Sequence, residues 1–479
     1  MNAKKNDTKK LSPTIRAKII ISSLTAILIL FIGLIAIRSV KLKNAVPSEL
    51  THLQQVELET VINEKYPERN KIIHELPFKA SKAELDVYAE SVILIDTATG
   101  DILYEKNADE IIPPASLTKL FAMYVVEQEI ENGNLSYNSI IPIPEEAYAC
   151  NMPPHSSLMF LGEGHKVTLE ELILGLSIAS GNDAAYALAY TISGSMEAFI
   201  ERMNAAALSL GLKNTHFTEA SGYSEENCTT AREMAAFCRI YLNKYPQSLQ
   251  KFHSVRSFTY PKPQNMADGD VYKAQDWSNG LPSHITMGIT QKNTNPLLDI
   301  LPGCDGLKTG YIQESGYNLA LTAVNNQTRF LSITMKGPGN NTQQGQEGRI
   351  HDGKELMNFA FGSFADYNDT QAIKDYKIYV PGSKEISINL TPAYKETAVC
   401  VPYLTGNSMA ENLSNVRITV ELPSKLKGKI NTGTQYGVIT VSLEDYILEQ
   451  IPLVADRTVK SRNFIFSFID SIILKFMKK

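Results

Sequence analysis

The spacing of apolar residues changes along this chain, and each change marks a different kind of segment. Ile19 to Ile37 is a run of 19 uncharged, mostly apolar residues. At ~1.5 Å per residue it nearly spans a hydrocarbon core of ~30 Å. Residues 39 to about 85 are charged and lack strong alternation, which predicts a spacer with one short helix between Glu49 and Tyr66. Alternation begins at Ser91 to Asp96, turns at Thr97 to Gly100 and resumes at Asp101 to Tyr104, the pattern of a hairpin. Pro113-Pro114 breaks the chain. A helix is predicted from about Ser116 to Asn132-Gly133, with Leu117, Leu120, Phe121, Tyr124 and Val125 on its apolar face. Thr168-Leu169-Glu170-Glu171 is a capping box that opens another helix, ending near Ser180. Asp183 to Ile192, Ser195 to Leu210 (with Gly211 as its C-cap) and Thr230 to Asn243 read as three more. Residues 306–313, 317–324 and 329–336 then alternate as three strands, the last two joined across Asn325 to Gln327.

Two strands early and three late, with helices between, predict an α/β (α+β) domain: one antiparallel sheet covered by helices. Residues 261–290 hold Pro261, Pro263, Gly269, Gly280 and Pro282 and predict a surface loop. Short alternating runs at Tyr376 to Val380, Val416 to Val420 and Gly437 to Val441 predict a small all-β domain after it. Beyond Asn463, Ser467, Asp470, Ser471, Lys475 and Lys478 recur at helical spacing in an otherwise apolar stretch. It is too short to span a bilayer. The wide apolar arc predicts a helix lying in the membrane interface, its lysines near the headgroups, in preference to one packed on the β domain. The resulting plan is 1–18 cytoplasmic tail, 19–37 transmembrane anchor, 38–85 spacer, 86–365 catalytic domain, 366–455 β-rich domain and 456–479 amphipathic helix.

Length and charge narrow the picture. A chain of 479 residues is too long for one ordinary core. The net charge of −5 gives no basic footprint for nucleic acid. Five scattered cysteines without a CxxC suggest neither a disulfide framework nor a zinc site, and are expected to be small buried hydrophobes. Lys4, Lys5, Lys9, Lys10, Arg16 and Lys18 precede the apolar run, against Arg38, Lys41 and Lys43 after it. The excess puts the N-terminus in the cytoplasm and the remainder outside. A cleaved signal peptide is the rival reading; the run exceeds a usual signal core and no A-x-A site follows closely.

Three short motifs carry the chemistry: Ser116-Leu117-Thr118-Lys119, Ser180-Gly181-Asn182 and Lys308-Thr309-Gly310. A serine and a lysine three apart lie on one helical face. A second hydroxyl with an amide, and a cation beside a hydroxyl, can close on the same point from two other elements. This is equipment for attacking a carbonyl without histidine. Ser-x-x-Lys and Ser-x-Asn recur elsewhere in the chain, but Lys-Thr-Gly occurs once. The order and context of the trio argue against chance.

The trio is a signature of penicillin-binding proteins and class A β-lactamases. With Ile95-Asp96 to Gly100, Leu103 to Ala108, Pro113 to Lys119, Ser180 to Ala185, Gly211 to Phe217 and Pro302 to Gly310, the chain resembles the low-molecular-weight D-alanyl-D-alanine carboxypeptidases. The likeness is strong over about residues 86 to 360 and weak over the next hundred. It implies a β-lactamase/transpeptidase-like fold, with the β domain lifting the catalytic one off a bacterial cell membrane. It also implies removal of the terminal D-alanine from peptidoglycan stem peptides, inhibition by β-lactams, and no cofactor or metal. Ser116 would be the nucleophile and Lys119 its base, neutral at the moment of attack; burial and Lys308 would lower its pKa. Ser180 would relay a proton to the leaving amine. Asn182 would hold the substrate amide, cap the following helix, or both. Lys308 and Thr309 would bind the terminal carboxylate, and Gly310 would let a ligand backbone lie close. The N–H groups of Ser116 and Tyr311 would form the oxyanion hole. Many relatives have histidine where this chain has Tyr311, so substrate fit is expected to differ.

A class A β-lactamase fits less well, because Gly181 replaces its usual aspartate and no Glu-x-x-Leu-Asn is present; Arg239 stands at the glutamate's place before Leu242-Asn243. A non-catalytic wall-binding protein is disfavoured by intact Ser116, Lys119 and Ser180. Endopeptidase action on cross-links stays open.

Overall fold

In the computed structural model, which describes residues 12–69, 71–80, 83–266, 288–404, 406–459 and 463–477, the chain divides into two units. One comprises 71–370 with 396–416, the other 1–70 with 371–395 and 417–479. This differs from the plan drawn from sequence in two places. Residues 396–416, expected in the β-rich domain, belong with the catalytic part. The N-terminal segment through residue 70 groups with the C-terminal part of the chain rather than standing apart as a spacer.

The larger unit is built on a six-stranded sheet. Its strands are β1 (His74–Glu75), β2 (Ser91–Asp96), β3 (Asp101–Lys106), β4 (Cys304–Ile312), β5 (Gly316–Asn325) and β6 (Thr328–Gly337), in spatial order β1-β3-β2-β6-β5-β4. The five expected strands form in the expected places and pair antiparallel. The short β1 adds a parallel edge that the spacer's charged composition did not announce. At the opposite edge runs β4, which carries Lys308-Thr309-Gly310. Within this sheet it is bonded on one side only, to β5, with Lys308 opposite Ala320 and Gly310 opposite Asn318.

Helices α3 (Thr118–Glu131), α4 (Leu169–Ser177), α5 (Asn182–Ser193), α6 (Met196–Ser209) and α7 (Ala231–Lys244) share one apolar core with the sheet. In α3 every residue from Thr118 to Glu127 is buried, because neighbours cover both its faces. Phe121 anchors it, stacked on Phe237 of α7 at 3.6 Å and tilted against Phe217 at 4.7 Å. The Thr168 capping box forms as predicted, but α4 stops at Ser177, so Ser180 lies in the link between α4 and α5 rather than at a helix end. A long helix, α8 (Thr342–Ser363), covers the late strands and went unread in the sequence. Strands Phe364–Tyr367 and Val399–Pro402 pair as a small ribbon in the same unit.

Ser257–Tyr260 and Ile289–Lys292 pair antiparallel at the base of the expected surface loop, whose residues 267–287 lie outside the described residues. The cysteine expectation holds for Cys238 and Cys400. Cys150 is exposed and Cys228 and Cys304 are half-buried, because they fall on a surface turn and at element ends; all five are free.

The smaller unit holds a five-stranded sheet of Tyr376–Tyr379, Ser387–Pro392, Val416–Glu421, Gln435–Leu443 and Tyr446–Ala455, closed over Ile388, Leu390, Ile439, Ile451 and Leu453. The run from Val416 to Val420 is a strand as predicted. Also in this unit are α1 (Pro13–Lys43), α2 (His52–Lys65, with a Thr51 capping box) and, after α9 (Met409–Asn415) of the larger unit, α10 (Phe464–Met477). Among the described residues α1 is the one helix long and apolar enough to cross a membrane, with a mean hydropathy of 2.8 over its best stretch.

Phe121 links α3 to α7, so Phe121→Ala is expected to destabilise the larger unit by about 3–5 kcal/mol. Denaturant unfolding of the full chain would read this as a lower midpoint at unchanged slope.

Candidate active site

Ser116 does not sit in α3 itself but in the single 3-10 turn Ala115–Leu117 that leads into it. Ala115 enters that turn at φ +50° and is fully buried. One turn on, Lys119 is completely buried, and its Nζ lies 3.0 Å from Ser116 Oγ, 2.8 Å from Asn182 Oδ1 and 2.5 Å from the Ser221 carbonyl. The predicted pair is therefore in contact, and Ser116 Oγ faces an amine rather than an imidazole. Burial pulls Lys119 down to about 8; Glu219 and Asp183 oppose this. Glu219 acts through space and through a turn, since its carboxylate accepts from the N–H and Oγ of Ser221, whose carbonyl accepts from Lys119.

Ser180 is held at φ +58°, a conformation that costs an L-residue ~1–2 kcal/mol. That bend aims its Oγ at Lys308 Nζ, 2.9 Å away. Asn182 is not the cap of α5; Gly181 occupies the cap position and Asn182 is the first helical residue. Its side chain is committed elsewhere, with Oδ1 on Lys119 and Nδ2 donating to Ser156 Oγ at 3.1 Å. The next residue anchors the loop instead. Asp183, fully buried, accepts from the N–H groups of Met159, Phe160, Leu161 and Ala184 at 2.8–3.0 Å. Burial nonetheless leaves its carboxyl above the usual range.

Lys308 is buried on β4, bonded to Ser180 Oγ and to the Thr309 carbonyl. Its pKa is held well below normal by burial first, then by Lys119 and Arg349. Among the described residues no carboxylate is in ion-pair contact with Lys308, which leaves it free of a counter-charge. Thr309 Oγ1 donates to Thr294 Oγ1 at 2.7 Å. Gly310 is also needed within the chain itself. A Cβ there would come within 2.8 Å of the Pro114 carbonyl and 3.1 Å of the Ser116 nitrogen, so the missing side chain lets β4 close on the serine turn itself. Gly222 does the same from the other side: at φ +79°, its Cβ would fall 1.8 Å from the Ala115 carbonyl.

Several supporting residues carry no motif. Asn318 on β5 donates to the carbonyls of Pro113 and Pro114 at 3.2 Å and so ties the serine turn to the sheet. Buried Arg349 of α8 donates to the Gly310 carbonyl at 2.5 Å and the Asn318 carbonyl at 3.1 Å; burial pushes it down to about 10. His253 is buried behind β4 between the Leu307 carbonyl (Nδ1, 3.3 Å) and the Tyr241 hydroxyl (Nε2, 3.0 Å), and burial pushes it down to about 4, which keeps it neutral. A donating Nδ1 and an accepting Nε2 satisfy both contacts. Asn318, Arg349 and His253 carry no signal of their own in the sequence, and Asp183 stands out there only as the neighbour of the second motif.

All eight candidate residues converge. Ser116, Asn182 and Tyr311 line a cleft of about 690 Å³ that also carries Ser157, Tyr223, Glu225 and Glu314. Lys119, Ser180, Lys308 and Thr309 lie just beneath its wall, and Gly310 joins β4 to the serine turn. Tyr311 is half-exposed at the rim and stacks on Tyr317 at 4.3 Å, which in turn lies over the Arg349 guanidinium. Among the described residues no cluster of histidine, cysteine or carboxylate side chains could hold a metal ion.

Comparison with known proteins agrees with this geometry. Residues 78–339 match the family described as D-alanyl-D-alanine carboxypeptidase (Peptidase S11), and residues 375–461 match the C-terminal domain of penicillin-binding protein 5. The chain is 32% identical over 395 residues to D-alanyl-D-alanine carboxypeptidase DacA of Escherichia coli, covering 81% of this chain and 88% of that protein. It is 28% identical over 387 residues to DacF of Bacillus subtilis, covering 80% and 89%. Penicillin-binding protein 5 of Haemophilus influenzae superposes with a TM-score of 0.63 at 28% identity, over 80% of this chain and all of that one.

Removing the Glu219 charge would take away the first of the two effects that raise the proton affinity of Lys119. Glu219→Gln is expected to move its titration below about 8, read by NMR of the labelled lysine ε-carbon; an upward move would contradict the assignment.

Proposed function

This chain belongs to the D-alanyl-D-alanine carboxypeptidase family, and from that premise we propose a mechanism for the serine hydrolase it contains. The substrate is a peptidoglycan stem peptide ending in D-Ala-D-Ala, and Ser116 attacks the carbonyl between the two alanines. The observation that carries this reading is the 3.0 Å contact between Ser116 Oγ and a buried lysine whose other partners only accept. An ammonium has three donors. Once neutral, the amine keeps two hydrogens, for Asn182 Oδ1 and the Ser221 carbonyl. Its lone pair then faces the one partner able to give a proton, the Ser116 hydroxyl. Burial makes that neutral form accessible near pH 8.

As the Ser116 oxygen bonds the carbonyl carbon, its proton passes to Lys119. The oxyanion is held by the N–H groups of Ser116 and Tyr311, a role supported by the close approach of Gly310 to the Ser116 nitrogen. Ser180 passes its hydroxyl proton to the departing amine and is reprotonated from Lys119 or Lys308, the latter 2.9 Å away, so that the proton taken from Ser116 ends on the amine and Lys119 is neutral again for hydrolysis. The Asn182 amide orients the substrate peptide. Lys308 and Thr309 hold the terminal carboxylate, whose arrival supplies the counter-charge that a buried lysine amine needs to stay protonated. D-Alanine leaves, and water hydrolyses the ester on Ser116. A β-lactam that presents the same carboxylate and strained amide acylates the same oxygen.

The setting is a bacterial cell membrane. Residues 1–18 lie in the cytoplasm, α1 spans, the catalytic unit is outside, and α10 lies among lipid headgroups. The hydropathy of α1 and the apolar arc of α10 support this.

With a pentapeptide ending in D-Ala-D-Ala, Ser116→Ala is expected to reduce D-alanine release by about 10⁴-fold or more. Mass spectrometry after penicillin treatment is expected to find the adduct on Ser116, and an adduct elsewhere would remove the nucleophile assignment. Because the base works deprotonated, kcat/KM should rise with pH through about 8; a flat profile from pH 6 to 9 would count against Lys119 as the base.

A further inference from the structure

The apolar helix α10 contains a fully buried aspartate. Ile469, Asp470, Ile473 and Leu474 are its buried face, while Phe464, Ile465, Phe468, Ile472 and Phe476 are exposed. A buried carboxylate without a partner costs several kcal/mol, so a helix that only needed to wet a lipid surface would not keep one there. Asp470 has its partner on α1. Arg38 Nε donates to Oδ1 at 2.8 Å and Nη2 to Oδ2 at 2.7 Å, a bidentate pair. The N–H of Gly382 adds a third bond to Oδ2 at 2.8 Å, and the Arg38 guanidinium also lies 4.9 Å over the Phe466 ring.

Position gives the pair its meaning. Arg38 is the first charge after the apolar run Ile19 to Ile37, so it marks the outer level of the hydrocarbon. Around it Leu34, Ile35 and Leu42 of α1 pack with Ile469, Ile473 and Leu474 of α10, and Tyr379 and Ile386 of the β-rich part join the same cluster, so α10 also packs on that part, contrary to the expectation from sequence. The contact therefore begins inside the last turn of the spanning run and continues past its end. The aromatic face of α10 is uncovered, and so is the apolar surface of α1 before the contact, where Leu28, Ile29, Leu30, Phe31 and Ile32 are all exposed. The occupant that fits both surfaces at once is acyl chain.

We propose that α1 and α10 form one two-helix anchor, locked by Arg38 and Asp470, in which the exposed face of α10 is held against the outer-leaflet lipid beside the outer end of α1. The proposal rests on the membrane reading of both helices and adds that the C-terminal helix does not bind lipid independently. Its depth is set by an ion pair to the opposite end of the chain.

The test uses the full chain in vesicles of phosphatidylethanolamine and phosphatidylglycerol with brominated acyl chains. The sequence holds one tryptophan, Trp277, so the double change Trp277→Phe/Phe468→Trp gives a single reporter on the lipid-facing side. With the ion pair intact, strong quenching is expected. Asp470→Asn, which leaves α1 untouched, should lower it at least twofold, and so should Arg38→Gln. The exchange Arg38→Asp/Asp470→Arg should restore it. Resistance to alkaline extraction verifies that α1 stays inserted, and D-alanine release that the catalytic unit stays folded. No quenching with the pair intact would end the lipid reading of α10 and the proposal with it. Strong quenching unchanged by Asp470→Asn would leave that reading standing and overturn the lock. A loss that the exchange does not restore would also overturn it.

Discussion

The catalytic centre depends on one buried amine. Lys119 brings together a helix, the head of a second helix and a distant turn, because its three hydrogens find Ser116, Asn182 and the Ser221 carbonyl. No other group could do this as well. A carboxylate could not bond two acceptors, and an arginine would hold its charge. A buried lysine can bind its neighbours in either protonation state, and burial narrows the gap between those states. In the proposed mechanism, structural anchor and proton acceptor are thus one residue. The rest of the cleft keeps that amine dry and its partners still.

That stillness comes from residues spent on backbone. Asp183 takes four N–H groups from its surroundings, Asn318 takes hold of the two carbonyls before the serine turn, and Arg349 fixes the carbonyl of Gly310. Each ties a chain segment that has no regular secondary structure, or stands at the end of one, to a rigid element. Ser180 and Ala115 are held at positive φ, conformations that persist because these attachments leave them no alternative.

The three motifs, the strand and helix order and the terminal helices were legible because each rests on local chemistry: period, capping and turn residues. Ser116 and Lys119 could be paired from spacing alone. Asn182 shows the limit. Its place before Asp183-Ala184-Ala185 looked like a cap, yet Gly181 takes that position and the amide turns toward a lysine 63 residues away in sequence. Gly310 shows another. The motif says that a glycine is needed, but not that its neighbour is the serine turn. Arg349, Thr294 and His253 were invisible because their partners are brought in by the sheet, over distances that no periodicity records. The strand at 399–402 fell within the expected β-rich range, although it pairs with 364–367 of the larger unit, since pairing across an excursion of the chain leaves no mark in composition.

The strand β4 is hydrogen-bonded within its sheet along one side only, and at Gly310 it lies against the turn that holds Ser116. An open strand border reads a visitor by its main chain, in the way one more strand would be added to the layer. Along such a visitor, successive substituents point alternately to the two faces. Reversing the handedness at one carbon sends its methyl group to the opposite face while every main-chain bond stays the same. A border that reads its visitor in this way can therefore tell mirror-image residues apart by what stands on either side of it, without a pocket shaped to the side chain.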